Sequence, residues 1–123
     1  MFFKDVEIKD VSKSVHKLIT LKKNYQFQYV FKKGKRFNSL YFNLVVASCN
    51  KNYSKFGIVV SKKIGKAVFR NKKRRQIKEI LRHIVENIKI NQYVILAKES
   101  IIDASYSEIQ SDLIGLFSKN NFI

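Results

Sequence analysis

The stretch "RNKKRRQIKEILR", residues 70–82, joins a dense basic run to an apolar spacing typical of a helix. Its apolar residues continue beyond the stretch, at positions 77, 80, 81, 84, 85 and 88, and form one stripe at helical period. Cations recur every fourth residue on another side, at Arg70, Arg74, Lys78 and Arg82. The sequence therefore predicts a helix over 67–88 with one face in a core and a ladder of cations on the other.

This basic run lies where the helix would begin, and that position is electrostatically unfavourable for cations. A helix N-terminus carries the positive end of the macrodipole, so carboxylates are favoured there and each cation costs roughly a few tenths of a kcal/mol. Two explanations follow. Either the run is a solvated basic face that tolerates the cost, or an anionic partner docks there and offsets it.

The distribution of charge along the chain favours an anionic partner. The 123 residues include 25 Lys and Arg against 9 Asp and Glu, which gives a formal net charge of +16. Residues 11–78 hold 19 of those 25 cations and none of the 9 acids. A lysine-rich composition explains an excess of cations, but it does not explain 68 consecutive residues without a carboxylate. We therefore expect a nucleic-acid-binding protein.

Several other classes of protein are disfavoured by the sequence. A single cysteine, Cys49, rules out a disulfide framework, and His16 and His83 are expected at the surface because neither has an acid partner or metal-ligand spacing. A two-metal nuclease needs clustered carboxylates, which residues 11–78 lack. The start of the chain lacks the apolar core of a signal peptide, and no apolar run is long enough to span a membrane, so we expect a cytoplasmic protein.

Local patterns predict one α+β domain over residues 21–123, preceded by a loosely ordered N-terminal extension over 1–20. A helix is expected at 25–33 and is ended by Gly34. Strands are expected at "KRFNS", at 40–45, at 56–60 and in "QYVILAK", the second and third as an antiparallel pair. Ser105 and Glu108 form a capping box that begins a final helix. The predicted order is αβββαβα, a two-layer sandwich with a parallel pair inside a mixed sheet and helices on one face.

Three blocks of this sequence resemble the bacterial ribonuclease P protein subunit. "FGIVVSKKIGKAVFRNKKRRQIKEI", residues 56–80, is similar to the family signature, in which a strand ending in Ser-Lys-Lys leads through a Gly loop into an Arg-Asn-Arg type helix. "LKKNYQFQYVFKKGK", residues 21–35, resembles the family's N-terminal helix, and "YVILAK" resembles its last strand. The blocks occur in the family's order and spacing.

The resemblance implies a protein cofactor of a catalytic RNA, which removes the 5′ leader of precursor tRNA by metal-dependent hydrolysis. The implied partners are that RNA and precursor tRNA, with neither a membrane nor a protein partner. Mg²⁺ would be held mainly by RNA, and the protein would supply no catalytic residue and no metal ligand. The implied fold is similar to the second domain of ribosomal protein S5, with a left-handed βαβ crossover.

Family motifs also carry roles onto particular residues of this chain. RNA-binding positions are expected at Arg70, Asn71, Lys72, Arg74, Arg75, Lys78, Lys62, Lys63 and Lys66. A cleft that binds single-stranded leader RNA is expected at Phe27, Phe31, Tyr41 and Ser61. A third aromatic position of the family's cleft falls on Val45 here.

Alternative readings of these residues remain open at the level of sequence. A ribosomal or ribosome-assembly RNA-binding protein would share the charge, the size and the fold superfamily. A DNA-reading helix would need polar base-reading side chains, whereas Lys and Arg position a protein on phosphates more than they specify sequence. Phe27 and Phe31 could be core residues, and Lys62, Lys63 and Lys66 could be merely solvated.

Overall fold

The computed structural model describes residues 18–123, which form three α-helices and one four-stranded sheet. In chain order the elements are α1 (Asn24–Lys33), β1 (Lys35–Asn38), β2 (Phe42–Ala47), β3 (Lys55–Val59), α2 (Ala67–Ile84), β4 (Gln92–Ala97) and α3 (Tyr106–Lys119). The α+β class and the predicted order αβββαβα are confirmed. The predicted extension lies almost entirely outside the described residues. Within them, no helix is long and apolar enough to cross a bilayer.

The strands lie in the order β1-β2-β4-β3, so β4 separates β2 from β3. It runs antiparallel to β2 and parallel to β3, which confirms the predicted parallel pair around the α2 crossover. The prediction that β2 and β3 form an antiparallel pair is wrong. β4 takes the central place because Tyr93, Val94 and Ile95 are all fully buried, and a strand that is apolar on both faces is most stable between two neighbours. The handedness of the crossover stays a prediction.

Helices cover both faces of the sheet. Leu44 and Val46 of β2 point into the core formed with α2 and α3, whereas Val45 and Ala47 point into a second cluster beneath α1. The expectation that all helices lie on one face is therefore wrong, and α1 lies on the opposite face from α2 and α3. The physical reason is that four consecutive apolar residues of β2 alternate between the faces, so each face needs a cover.

Aromatic rings fill the larger core around Tyr93. Its ring stacks on Phe56 with centroids 5.3 Å apart and meets Phe117 edge to face, also at 5.3 Å. The Tyr93 hydroxyl donates to the carbonyl oxygen of Lys89, so the buried phenol is satisfied. Burial raises the pKa of Tyr93 to about 12, so the ring stays neutral across the physiological range.

The final helix begins at the predicted capping box. The Ser105 N–H donates to Glu108 Oε1 at 2.8 Å, and the Glu108 N–H donates to Ser105 Oγ at 3.2 Å. These two hydrogen bonds satisfy donors that a helix N-terminus would leave free. Hydrogen bonds from the backbone and the side chain of Ser105 lower the pKa of the Glu108 carboxyl, because they favour its charged form.

Two glycines let α1 lie directly on the sheet. A Cβ at Gly34 would come within 2.5 Å of the Val30 carbonyl oxygen and within 2.7 Å of Val45 Cγ1. A Cβ at Gly57 of β3 would lie 2.4 Å from Cε1 of Phe27. Real Cβ atoms essentially never approach this closely, so both positions require the absence of a side chain.

Replacing Gly57 by Ala should destabilise the fold, because Phe27 would have to move off the sheet. Overpacking of this kind costs roughly 1–3 kcal/mol, which a urea-unfolding midpoint will detect. Gly115→Ala in α3 is the matched control, since its Cβ would meet nothing within 4 Å and should stabilise the helix by up to about 1 kcal/mol. Equal unfolding midpoints for Gly57→Ala and the parent would contradict the close seat of α1.

Candidate nucleic-acid interface

The cations of α2 are presented to solvent over the first three turns of the helix. Asn71, Lys72 and Arg75 are exposed, while Arg74 and Lys78 are half-buried. The first turn contains no acidic residue, and no side chain caps the helix at Lys66. The predicted basic helix start is therefore present, with its free N–H groups and its cations on one surface.

Lys73 is the exception within the basic run, because it points into the protein. Its side chain is buried, with Nζ donating to the Ala104 carbonyl oxygen at 3.0 Å and lying 5.3 Å from the centroid of the Phe69 ring. Burial, and after it the charge of Lys72, lowers the pKa of Lys73. Lys73 stands four residues before the buried Ile77 and so continues the apolar stripe, which is the sequence signal for its inward position.

Internal hydrogen bonds hold two of the arginines in place. Arg70 Nε donates to the Gly65 carbonyl oxygen at 3.0 Å, which ties the helix to the preceding loop. Arg74 Nη1 donates to Asn71 Oδ1 at 2.9 Å. Asn71, predicted to bind RNA, thus orients a neighbouring guanidinium. Such contacts reduce the side-chain entropy that these arginines would lose on binding a phosphate.

The loop between β3 and α2 adds a second group of cations beside the helix. Lys62 and Lys63 begin a 3-10 turn and are exposed, as is Lys66, while Ile64 of the same turn is buried and anchors the loop. Gly65 follows with φ +151°, a conformation that L side chains rarely adopt. The loop lysines therefore lie directly before the α2 cations along the chain.

Within α2 the one acidic residue is Glu79, in the second half of the helix. Glu79 lies 3.6 Å from the Arg82 guanidinium and 3.0 Å from His83 Nε2. His83 is exposed as predicted, although the expectation that it has no acid partner is wrong, because Glu79 precedes it by one helical turn. His16 lies outside the described residues. The Glu79 carboxylate therefore pairs with the C-terminal part of the cation ladder, and the N-terminal part is open to an external anion.

Phe27 and Phe31 lie on the side of α1 that faces the sheet. Both are half-buried and pack against the cluster that contains Val30 and Val94. The Arg36 guanidinium lies 5.9 Å from the centroid of the Phe31 ring, within cation–π range. Each ring is therefore partly core and partly surface, which combines the two alternatives that the sequence left open.

At the β3 edge of the sheet, the aromatic surface (Phe27 and Phe31) meets the basic surface (the cations of α2 and of the loop before it). A cavity of about 140 Å³ is lined by Phe27 from α1, by Phe56 and Ile58 from β3, and by Arg74 and Lys78 from α2. β3 is an edge strand, so cations from one face of the sheet can reach round it to an aromatic residue on the other. An anion with an attached ring could contact both surfaces at once.

Tyr41 is not brought together with Phe27 and Phe31. Its backbone N–H donates to Asp112 Oδ2 of α3 at 3.0 Å, and its side chain packs on the core beneath α2 and α3. The prediction that it belongs to the same cleft is therefore wrong. Val45 is fully buried beneath α1, so it adds no surface there.

Ser61 is exposed just beyond β3, beside the loop lysines. Its backbone carbonyl accepts from the Ile64 N–H at 3.0 Å and so begins the turn. This position extends the basic loop toward the edge at which Phe27 lies.

Comparison with protein families shows which family the chain belongs to. The family model described as Ribonuclease P matches residues 15–121. The chain belongs to the ribonuclease P protein family. It is thus a protein component of ribonuclease P, a ribonucleoprotein nuclease of tRNA processing.

Individual relatives agree with the family match. A ribonuclease P protein component of Clostridium botulinum (strain Langeland) is 37% identical over 101 residues, which cover 80% of this chain and 91% of the relative. That of Clostridioides difficile is 39% identical over 103 residues, with coverage of 82% and 90%.

Solved structures of the family share the fold. Staphylococcus aureus RNase P protein superposes with a TM-score of 0.81 at 29% identity, covering 86% of this chain and 98% of that one. The Thermotoga maritima RNase P protein gives 0.75 at 28% identity, covering 81% and 96%. A third structure, with a TM-score of 0.81 and 28% identity, is an S. aureus RNase P protein mutant with defective mRNA degradation activity; it covers 85% of this chain and 89% of that one.

The variants Lys73→Ala and Arg75→Ala should distinguish a cation that stabilises the fold from a surface cation that binds RNA. Lys73→Ala leaves the Ala104 carbonyl without its donor, which should cost about 1–3 kcal/mol of unfolding free energy. Arg75→Ala should change stability by less than about 0.5 kcal/mol. It should instead flatten the slope of log affinity for ribonuclease P RNA against log salt by roughly 0.7–0.9. The reverse pattern in unfolding and salt titrations would contradict these assignments.

Proposed function

We propose that this protein binds both the catalytic RNA of ribonuclease P and the 5′ leader of precursor tRNA, and so assists removal of the leader. The observation that carries the proposal is the cavity at which Phe27 of the aromatic surface meets Arg74 and Lys78 of the basic surface. A ribonucleoprotein subunit that must hold two RNAs needs two adjoining surfaces of this kind.

The basic surface is suited to the catalytic RNA. It combines the first three turns of α2 with the lysines of the preceding loop, and these residues are rich in cations and contain no carboxylate. Phosphates of a folded RNA would supply the negative charge that a helix N-terminus otherwise takes from Asp or Glu. Counterion release would then dominate affinity.

The aromatic surface is suited to a single-stranded leader. Phe27 and Phe31 are half-buried, so each ring is fixed by core packing and keeps part of its surface free. Stacking of a base on such a ring is worth about 1–3 kcal/mol and does not depend on base identity. This tolerance fits leaders whose sequences differ from one precursor tRNA to another.

The chemistry of cleavage is assigned to the RNA in this proposal. Among residues 18–123, no three His, Cys, Asp or Glu side chains come together in a group that could hold a metal ion. The metal would be held mainly by RNA phosphates, whose crowding the cationic protein would offset.

Purified protein without RNA should not cleave precursor tRNA, and addition of its cognate ribonuclease P RNA should give accurate 5′ maturation at low magnesium. Cleavage of precursor tRNA by gel assay, with and without the RNA, measures this. The control is nuclease-treated protein incubated with mRNA, because a mutant of the S. aureus protein has defective mRNA degradation activity. Metal-dependent cleavage by RNA-free protein, or recovery of ribosomal RNA as the main copurifying species, would refute the assignment.

Phe31→Leu should weaken binding of precursor tRNA by roughly 1–3 kcal/mol while leaving mature tRNA unaffected, because only the precursor carries a leader. Leucine keeps an apolar side chain against the cluster beneath α1 but removes the ring. Affinities of the reconstituted ribonucleoprotein for both tRNAs, with the thermal midpoint of each variant, measure the effect. Equal losses for both ligands would show that Phe31 serves only the core.

A further inference from the structure

The outer side of α1 carries a second pair of aromatic residues. Tyr25 and Tyr29 are offset by two positions from Phe27 and Phe31, which is about 200° around a helix. They therefore lie on the side of α1 away from the phenylalanine pair. Tyr25 is 65% exposed and Tyr29 is 44% exposed, so both residues present surface to solvent.

These tyrosines form one wall of a groove of about 610 Å³. The opposite wall consists of residues 48–50, which follow β2, together with Lys55 and Gln92 at the starts of β3 and β4. Tyrosine rings offer flat faces, while the serine, asparagine and glutamine side chains offer donors and acceptors. This combination can stack a base and hydrogen-bond its edge.

The charge around the groove restricts the class of ligand. Lys55 lines it, the exposed Lys22 and Lys23 precede α1, and the exposed Lys51 lies in the loop after β2. None of the lining residues is acidic. An apolar peptide would leave these cations unpaired, whereas a single-stranded nucleic acid would match rings and cations together.

The position of the groove indicates which RNA strand would reach it. The basic loop and the start of α2 follow the C-terminal end of β3, whereas the groove lies at the N-terminal ends of β3 and β4, where Lys55 pairs with Gln92. The two ends are separated by the length of β3, about 13 Å. If the catalytic RNA docks on the loop and α2, a leader reaches the α1 face at the C-terminal end of β3. Its 5′ part then leaves at the N-terminal ends of β3 and β4.

We infer that the tyrosine groove binds the upstream nucleotides of long leaders, as a second stacking platform beyond Phe27 and Phe31. The inference rests on the proposed leader-binding function and extends it to leader length. A strand that follows the sheet across α1 would place its downstream bases on the phenylalanines and its upstream bases on the tyrosines. Precursor tRNAs with long leaders would therefore be bound more tightly than those with short ones.

A series of precursor tRNAs whose leaders grow by one nucleotide at a time tests this, with mature tRNA as the zero point. The reconstituted parent ribonucleoprotein should show two successive gains in affinity. The double variant Tyr25→Ala, Tyr29→Ala should lose only the second gain, by at least about fivefold, which is the lower end of one stacking interaction. Tyr25→Phe, Tyr29→Phe should keep it, and Tyr53→Ala, which removes an exposed tyrosine outside the groove, should have no effect.

Cys49 gives an independent readout, since it is the chain's single cysteine and lines the groove. A photo-crosslinker attached to its thiol should react with the 5′ end of long leaders and not with short ones. Crosslinks to the catalytic RNA, or an equal loss of affinity for all leader lengths in the tyrosine double variant, would overturn the inference alone. Loss of leader dependence in the parent protein would overturn the proposed function itself.

Discussion

The central position of β4 is the constraint on which the rest of the structure depends. Its buried residues alternate between a core beneath α2 and α3 and a cluster beneath α1. Because both faces of the strand must be covered, α1 is drawn to one side of the sheet and the basic helix to the other. β3 is left at one edge of the sheet, and there Phe27 from one side meets Arg74 and Lys78 from the other.

The local elements could be predicted from the sequence, since their signals are local. The apolar stripe of α2 and the Ser105 capping box depend on residues within a few turns of each other, and both are present. The pairing of β2 with β4 could not be predicted in this way, because it joins segments about fifty residues apart and competes with a shorter connection to β3. The run of four apolar residues from Leu44 did contain the signal for covers on both faces.

The candidate site was predicted in its chemistry and less well in its geometry. Sequence and resemblance gave the cations of α2 and the two phenylalanines, and the structure brings Phe27 next to Arg74 and Lys78. Tyr41 was misplaced because its position depends on Asp112, which lies 71 residues further along the chain. The groove beside Tyr25 and Tyr29 was missed for a similar reason: its second wall comes from three separate segments. Charge and residue type are local properties, whereas a binding surface is assembled by tertiary contacts.

The strand order also has a consequence for synthesis on the ribosome. β4 is the last strand to be made, yet it lies between β2 and β3. Among residues 18–123, β3 has no neighbouring strand until β4 emerges, and pairs only through the bridge at Thr20. The carboxylate-free residues 11–78 are complete before this time, so a polycation without a finished core leaves a ribosome built largely of RNA. The nascent chain is thus most exposed to nonspecific RNA contacts before its own sheet can close, and the emergence of β4 ends that interval.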